Sequence, residues 1–414
     1  RHRNMTTLEE KLGYTFQSPE LLENALTHSS CANESRGKLQ SNERLEFLGD
    51  SILGMVVADH LYRNHPDLPE GELTRTRSAL VCEESLVEVA QALGLDTLYL
   101  KDDGQNPTSS LKDRASAMAV VKAREAGADT IACSSTGNAA SSLAGNAAAA
   151  GLKTYIFVPS RAPKGKVAQL MTFGATVISV QGSYEETFEL SKQAIDRWGW
   201  YNRNAAINPY LSEGKKTVAL EIMEQLSWQV PDYIAISVGD GCTIAGLWKG
   251  LKDLYAIGFI DRLPRLISAQ AEGCCPINRA IAENKPWEPM EENTLADSIA
   301  VGVPRNADKA LTAIRESDGI VVNVSDQEIM AAQQLLGRTC GVFGEPAGVT
   351  GAAGVKKLCE QGVIGKDDTV VSVVTGNGLK DVANAIKAAG EPISIPSDMD
   401  RLLAAFAEKG ITVE

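Results

Sequence analysis

The sequence predicts a multi-domain chain: an all-α N-terminal segment over residues 1–96, then an α/β domain over 97–414 with a parallel sheet and a smaller associated lobe. Three observations predict this. Apolar residues up to Leu95 recur only at helical spacing. After Leu95 short, uniformly apolar β-rich runs alternate with amphipathic helical stretches, the pattern of strands covered on both faces. The chain has 414 residues, 44% of them hydrophobic, which is enough for at least one large core and for two or more domains.

The N-terminal elements read in order as LEEKLGY, SPELLENALTH, NERLEFLGDSILGMVVADHLYRN and GELTRTRSALVCEESLVEVAQALG. In the third, Leu45, Leu48, Ile52, Leu53 and Val56 fall on one helical face, while Glu43, Glu46 and Asp50 share another. The following strands are expected in DTIACSS, KTYIFVPS, ATVISVQG, DYIAISVG, RLISAQAEG, GIVVNVSD and DTVVSVVTG. No apolar run approaches bilayer length and the first residues lack the apolar core of a signal peptide, so the expected location is the cytoplasm.

Charge and scarce residue types exclude several functions. A net charge of −13 argues against broad nucleic-acid affinity, and residues 1–97 are themselves acidic, with 9 basic against 16 acidic side chains. The 8 cysteines show no CxxC pair, and reduced thiols are expected. All 4 histidines, His2, His28, His60 and His65, lie in the first 65 residues. Beyond them, Ser-His-Asp and Cys-His catalysis and histidine-ligated metals are excluded, so proton transfer there falls to Lys, Asp, Glu, Tyr or a cofactor.

Four segments then stand out: NPTSSLKDR around Lys112, SSTGN at 134–138, VGDGCT at 238–243 and TGNGLKD from 375. Lys112, beside Asp113 and Arg114, is by itself a solvated surface residue. The three later segments are polar, glycine-bearing turns between a strand and a helix, which is how open α/β sheets build ligand sites. Gly239 and Gly241 permit a tight turn whose N–H groups suit a phosphate, although structural glycine turns are commoner than phosphate cups. The hydroxyls and amides of the other two turns also suit plain helix caps.

From about 96 to 414, these four motifs in order resemble threonine synthase, a fold-type II enzyme dependent on pyridoxal 5'-phosphate (PLP). The resemblance implies that Lys112 holds PLP as a Schiff base and shuttles protons at Cα and Cβ of the substrate. It implies that Asn138 bonds the cofactor's 3′ oxygen, that Gly239, Asp240, Gly241, Cys242 and Thr243 receive its phosphate, and that Thr375 faces the pyridine nitrogen. Ser135, Thr136 and Gly137 would bind the substrate carboxylate. Lys164, Lys166, Asn208 and Lys215 are candidates for a substrate phosphate, with solvated surface positions the competing reading for the three lysines. Glu345, in GEPAG, would contact cofactor or substrate, or cap a helix. The implied reaction turns O-phosphohomoserine and water into threonine and phosphate. The chain departs from the family in reading SLKDRA for SFKDRG, in placing Leu211 where an arginine is common, and in lacking a GGTPL-like segment ahead of the lysine.

Ahead of these motifs, NERLEFLGDS at 42–51, with KLGYTF, ALTHSS and EGELTRTRSALV around it, resembles the ribonuclease III family over about 7–96. That resemblance implies that Glu43, Glu46 and Asp50 hold Mg²⁺ against double-stranded RNA. The helix that completes such a site is missing, since the only later Asp-x-x-Glu is Asp67 to Glu70, interrupted by proline. The expectation is a PLP-dependent lyase, in a homodimer, behind a truncated nuclease-like head with an incomplete metal site. The alternatives are a metal-dependent double-stranded RNA endonuclease and a non-functional fusion of the two.

Overall fold

Apolar runs flanked by glycine and polar residues become the strands of two all-parallel sheets. The structure is a computed structural model, and it describes residues 95, 97–162, 164–205, 207–390 and 392–411. The chain divides into two units, Arg1–Glu83 and Glu84–Glu414. The helices expected in the N-terminal segment, together with Glu43, Glu46 and Asp50, lie outside the described residues.

The larger sheet has the order β1-β9-β6-β7-β8, with β1 Thr97–Asp102, β6 Tyr233–Ser237, β7 Arg265–Ala271, β8 Ile320–Val324 and β9 Thr369–Val374. The smaller has the order β4-β3-β2-β5, with β2 Thr130–Ser134, β3 Lys153–Pro159, β4 Thr176–Val180 and β5 Tyr201–Asn202. All seven expected strands form. The two unforeseen ones are β1, which pairs with β9 over six residues from Thr97 with Thr369 to Asp102 with Val374, and the two-residue β5.

Both faces of the larger sheet are apolar, and β9 shows why. Val370 and Val374 join one core, and Val371 and Val373 the other, as the two-residue period requires. The first core is closed by helices α9 (Asp326–Cys340) and α10 (Pro346–Glu360), through Ile329, Leu336, Val349 and Val355. The second is closed by α5 (Tyr210–Gln225), α6 (Cys242–Ala256) and α8 (Ala307–Glu316), through Met223, Leu247, Leu251 and Leu311. A third core belongs to the smaller lobe, where α1 (Lys112–Glu125) and α2 (Asn138–Ala149) pack on β2 and β3 through Ala119, Leu143, Ile131 and Ile156. Helices α3 (Lys164–Thr172) and α4 (Tyr184–Trp198) complete that lobe. The remaining α-helices among the described residues are α7 (Pro276–Glu283), α11 (Val382–Ala389) and α12 (Met399–Glu408).

Parallel strands send all their carboxyl ends one way, and the four sequence motifs follow those of β1, β2, β6 and β9. No described helix is long and apolar enough to cross a membrane.

Candidate active site

Lys112 is the first residue of α1, and three stretches distant in sequence are stitched around it. The Leu111 N–H donates to the Thr375 carbonyl at 2.8 Å, and the Asn377 N–H to the Ser109 carbonyl at 3.1 Å. The Glu345 N–H in turn donates to the Gly376 carbonyl at 2.8 Å. The TGNG turn therefore bridges the lysine loop and the start of α10. Asn138, at the start of α2, donates from Nδ2 to Glu345 Oε1 at 2.7 Å and so ties the smaller lobe to the same platform.

Asp113 and Arg114 anchor this arrangement from inside the protein. Asp113 accepts from the Thr108 N–H at 2.8 Å, Thr108 Oγ1 at 2.7 Å and Asn146 Nδ2 at 2.9 Å. Arg114 donates through Nε and Nη2 to Asp103 at 2.7 and 2.8 Å and reaches Glu221 at 2.6 Å. Both side chains sit where a lone reading of the Lys-Asp-Arg string puts solvent. A charged run in sequence carries no mark of the partners, here 11 and 107 residues away, that make burial tolerable.

One cavity collects Lys112, Asn138, Gly239, Asp240, Gly241, Cys242, Thr243, Glu345 and Thr375, together with Arg203 and Lys215. Lys112 is partly accessible as a residue because it fronts this cavity, while protein surrounds its amine. Burial lowers its pKa, against the nearby Glu345, which raises it. Glu345 is 4% exposed, and burial pushes its carboxyl up to about 7 despite Lys112 and the Asn138 bond. The Asp240 carboxylate is already engaged, accepting from the Arg305 N–H at 2.6 Å.

The glycine turn packs closely against neighbouring protein. Gly241 has φ +82°, in the left-handed region, and a Cβ there would stand 2.8 Å from the Asn306 carbonyl oxygen. A Cβ on Gly239 would stand 2.8 Å from Ile299 Cα. No side chain caps α6, whose first N–H groups stay available, whereas Ser183 and Ser325 cap α4 and α9 with complete capping boxes.

A second cleft of about 740 Å³ shares Asn138 with the first and is lined by Thr136, Gly137, Ser141, Lys166, Gln169 and Lys380 among others. Lys166 pairs with Asp297 at 3.3 Å. Lys380 rests on Ser141 Oγ at 3.1 Å and Gln169 Oε1 at 3.3 Å. Ser135 lines neither space and instead accepts from the Gly137 N–H at 3.2 Å. Asn208 lines neither as well. Its amide is spent on the Asn202 carbonyl and the Tyr210 N–H, both at 3.0 Å, which fixes the entry to α5. Lys164 is exposed beside a separate surface cleft, and Leu211 is buried in the smaller lobe's core. Lys215, read from sequence as either a phosphate ligand or a surface residue, is 4% exposed inside the first cavity. Neither Arg203 nor Lys380 was legible as a site residue, since a lone basic residue gives no sign of burial.

Residues 84–376 match the family described as Pyridoxal-phosphate dependent enzyme. The chain belongs to that family. It is 43% identical over 315 residues to a threonine synthase of Methanocaldococcus jannaschii, covering 75% of this chain and 77% of that protein. It is 41% identical over 324 residues to a threonine synthase of Methanosarcina acetivorans, covering 78% and 80%. In fold it is similar to the processed threonine deaminase isoform 2 of Solanum lycopersicum, at TM-score 0.63 and 20% identity over 78% of this chain and 93% of that one. Residues 18–146 also match a family described as Ribonuclease-III-like. The chain therefore joins a ribonuclease-III-like N-terminal segment to a threonine synthase-like PLP enzyme. The two matches overlap over 84–146, and the described part of that overlap, with β1, α1, β2 and most of α2, is built into the α/β fold.

The residues present fit PLP. The cavity combines an enclosed lysine amine, a tight glycine turn, uncapped helix N–H groups, and a buried Arg203 Nη2 without a partner.

Proposed function

We propose that the chain converts O-phosphohomoserine and water to threonine and phosphate, with Lys112 as its central residue. The observation that carries this is the enclosure of the Lys112 amine in one cavity with the glycine turn, Asn138 and Thr375. When bound, PLP supplies an aldehyde for amines and a conjugated ring that takes up the electron pair freed from a substrate C–H bond. Glycines 239 and 241, with Asp240, Cys242 and Thr243, would hold its phosphate. Asn138 would bond its 3′ oxygen and Thr375 would face its ring nitrogen, where a hydroxyl, unlike a carboxylate, would leave that nitrogen largely unprotonated.

Burial favours the neutral form of the Lys112 amine, as removal of a proton from the substrate Cα requires. The same amine would withdraw protons from Cα and Cβ as phosphate leaves Cγ, after which a proton adds at Cγ to complete the methyl group, water gives its hydroxyl to Cβ and its proton to the amine, and a proton returns to Cα. Glu345 approaches cofactor or substrate through its bond to Asn138. Thr136, Gly137 and the start of α2 receive the substrate carboxylate, with Ser135 shaping the turn. Lys166 lines the wider cleft, which supports its use for the substrate phosphate. Lys380 lines the same cleft and supports the same use.

For the N-terminal segment, the proposal is that Glu43, Glu46 and Asp50 offer Mg²⁺ an incomplete set of oxygen ligands, so that double-stranded RNA is bound weakly and not cut. The enzyme is proposed to work as a cytoplasmic homodimer. The test is phosphate release and threonine formation from O-phosphohomoserine. Wild type turns over, Lys112→Ala does not, and an inactive wild type loaded with PLP sinks the assigned substrate.

A further inference from the structure

The first cavity is lined by two buried cations that no carboxylate among the described residues pairs with directly. Arg203 is 3% exposed, and its Nε donates to Ser116 Oγ at 3.1 Å, a neutral acceptor, while Nη2 is buried with no partner. Lys215 is 4% exposed and makes no ion pair among the described residues. Both line the same cavity as Lys112 and the glycine turn. Of the two carboxylates on that wall, Glu345 accepts from Asn138 and Asp240 from the Arg305 N–H, and neither forms a direct ion pair with Arg203 or Lys215. Buried cations without a paired anion are unfavourable, and an anionic ligand relieves that cost.

We infer that Arg203 and Lys215 grip the phosphate of the cofactor, adding two side-chain cations to the N–H groups of the glycine turn. The inference rests on the PLP reading of this cavity and deepens it. It reassigns Lys215 from a substrate phosphate to the cofactor's own. Both residues stand close to Cys242, the first residue of α6, where the turn presents its N–H groups. Burial pulls Lys215 down to about 8, against Cys242, so its amine stays mostly charged at pH 7 and a dianion beside it would favour that charged form further. An arginine fork and a lysine point charge at a helix start are the donors expected for phosphate.

The test compares PLP with pyridoxal, which has the aldehyde and ring but no phosphate. The full chain, freed of cofactor, is titrated with each by absorbance, as wild type, Lys215→Met and Arg203→Met. Lys215→Met is expected to weaken PLP binding by about ten- to a hundredfold and leave pyridoxal binding unchanged. Equal loss for both compounds, or no loss for PLP, overturns the assignment. Should Arg203→Met fail to fold, inorganic phosphate supplies the second measurement. It is expected to raise the unfolding temperature of the cofactor-free wild type and not that of Lys215→Met, and an equal rise in both overturns the assignment. A wild type that binds neither PLP nor pyridoxal contradicts the PLP reading itself, whereas a wild type that binds PLP beside variants with unaltered preference contradicts only the roles of Arg203 and Lys215.

Discussion

Glu345 shows how a single buried carboxyl links the site to stability. Burial holds it up at about 7, from an ordinary value of 4.5, against the lowering by Lys112 and Asn138. The folded protein therefore keeps a proton over a range in which the unfolded chain has released it. Stability from this group is fully present below about pH 4.5 and lost as pH rises through about 7, and a change of this size corresponds to about 3 kcal/mol at most. Glu345→Gln keeps the amide neutral at every pH. Urea unfolding of the cofactor-free protein between pH 4.5 and 8 is thus expected to show the variant gaining on wild type across that window, whereas a constant difference would mean that Glu345 is ionised in the fold. At this scale the sequence disclosed the motif residues and little of their setting. Lys112, Asn138 and the glycines announce themselves as a pattern, but the burial of Arg114 depends on Asp103 and Glu221, 11 and 107 residues away, and that of Arg203 and Lys215 on cavity walls from several distant elements.

Among elements, α1 carries the strongest constraint because it presents Lys112 while packing in the smaller lobe. Arg114 binds its first turn to Asp103 and to Glu221 on α5. Arg114→Met leaves Asp103, 1% exposed, without its cation, and a loss of about 3–5 kcal/mol is expected in equilibrium unfolding. A loss below about 1 kcal/mol would place the pair among weak surface bridges. The start of α6 is tested separately by Gly241→Ala. Its φ of +82° and its 2.8 Å approach to Asn306 make any Cβ costly, by about 1–3 kcal/mol from backbone strain alone. PLP affinity measured by titration should fall with it, and an unchanged affinity would remove the turn from the cofactor site. Strands were the most legible elements, since a run apolar at every position has few other uses. β1 was not, because TLYLKD ends in charge and sits at the junction of two resemblances, so only its full register with β9 reveals it. β5 is held by two residues and has no periodicity to read.

For the whole molecule, the absence of histidine after position 65 proved informative, because it left lysine chemistry as the natural resource of the α/β domain. The two-lobed parallel architecture follows from the alternation of strands and helices, while the partition between two separate sheets does not, since uniform strands give no sign of which neighbours they choose. The N-terminal segment contributes a recognisable ribonuclease-III-like sequence, whose carboxylates Glu43, Glu46 and Asp50 are proposed above as an incomplete metal site. Incubation of the full chain with duplex RNA and Mg²⁺ is expected to yield no cleavage, and threonine formation is expected to be unaffected by a chelator. Magnesium-dependent fragments would show that the carboxylates Glu43, Glu46 and Asp50 suffice after all.

The central claim is that one enclosed amine, that of Lys112, carries the cofactor. Borohydride reduction of the PLP-loaded protein followed by peptide mass spectrometry tests it directly. The account predicts a single pyridoxyl-modified peptide, modified at Lys112, and modification centred on Lys215 or on any other lysine would contradict it.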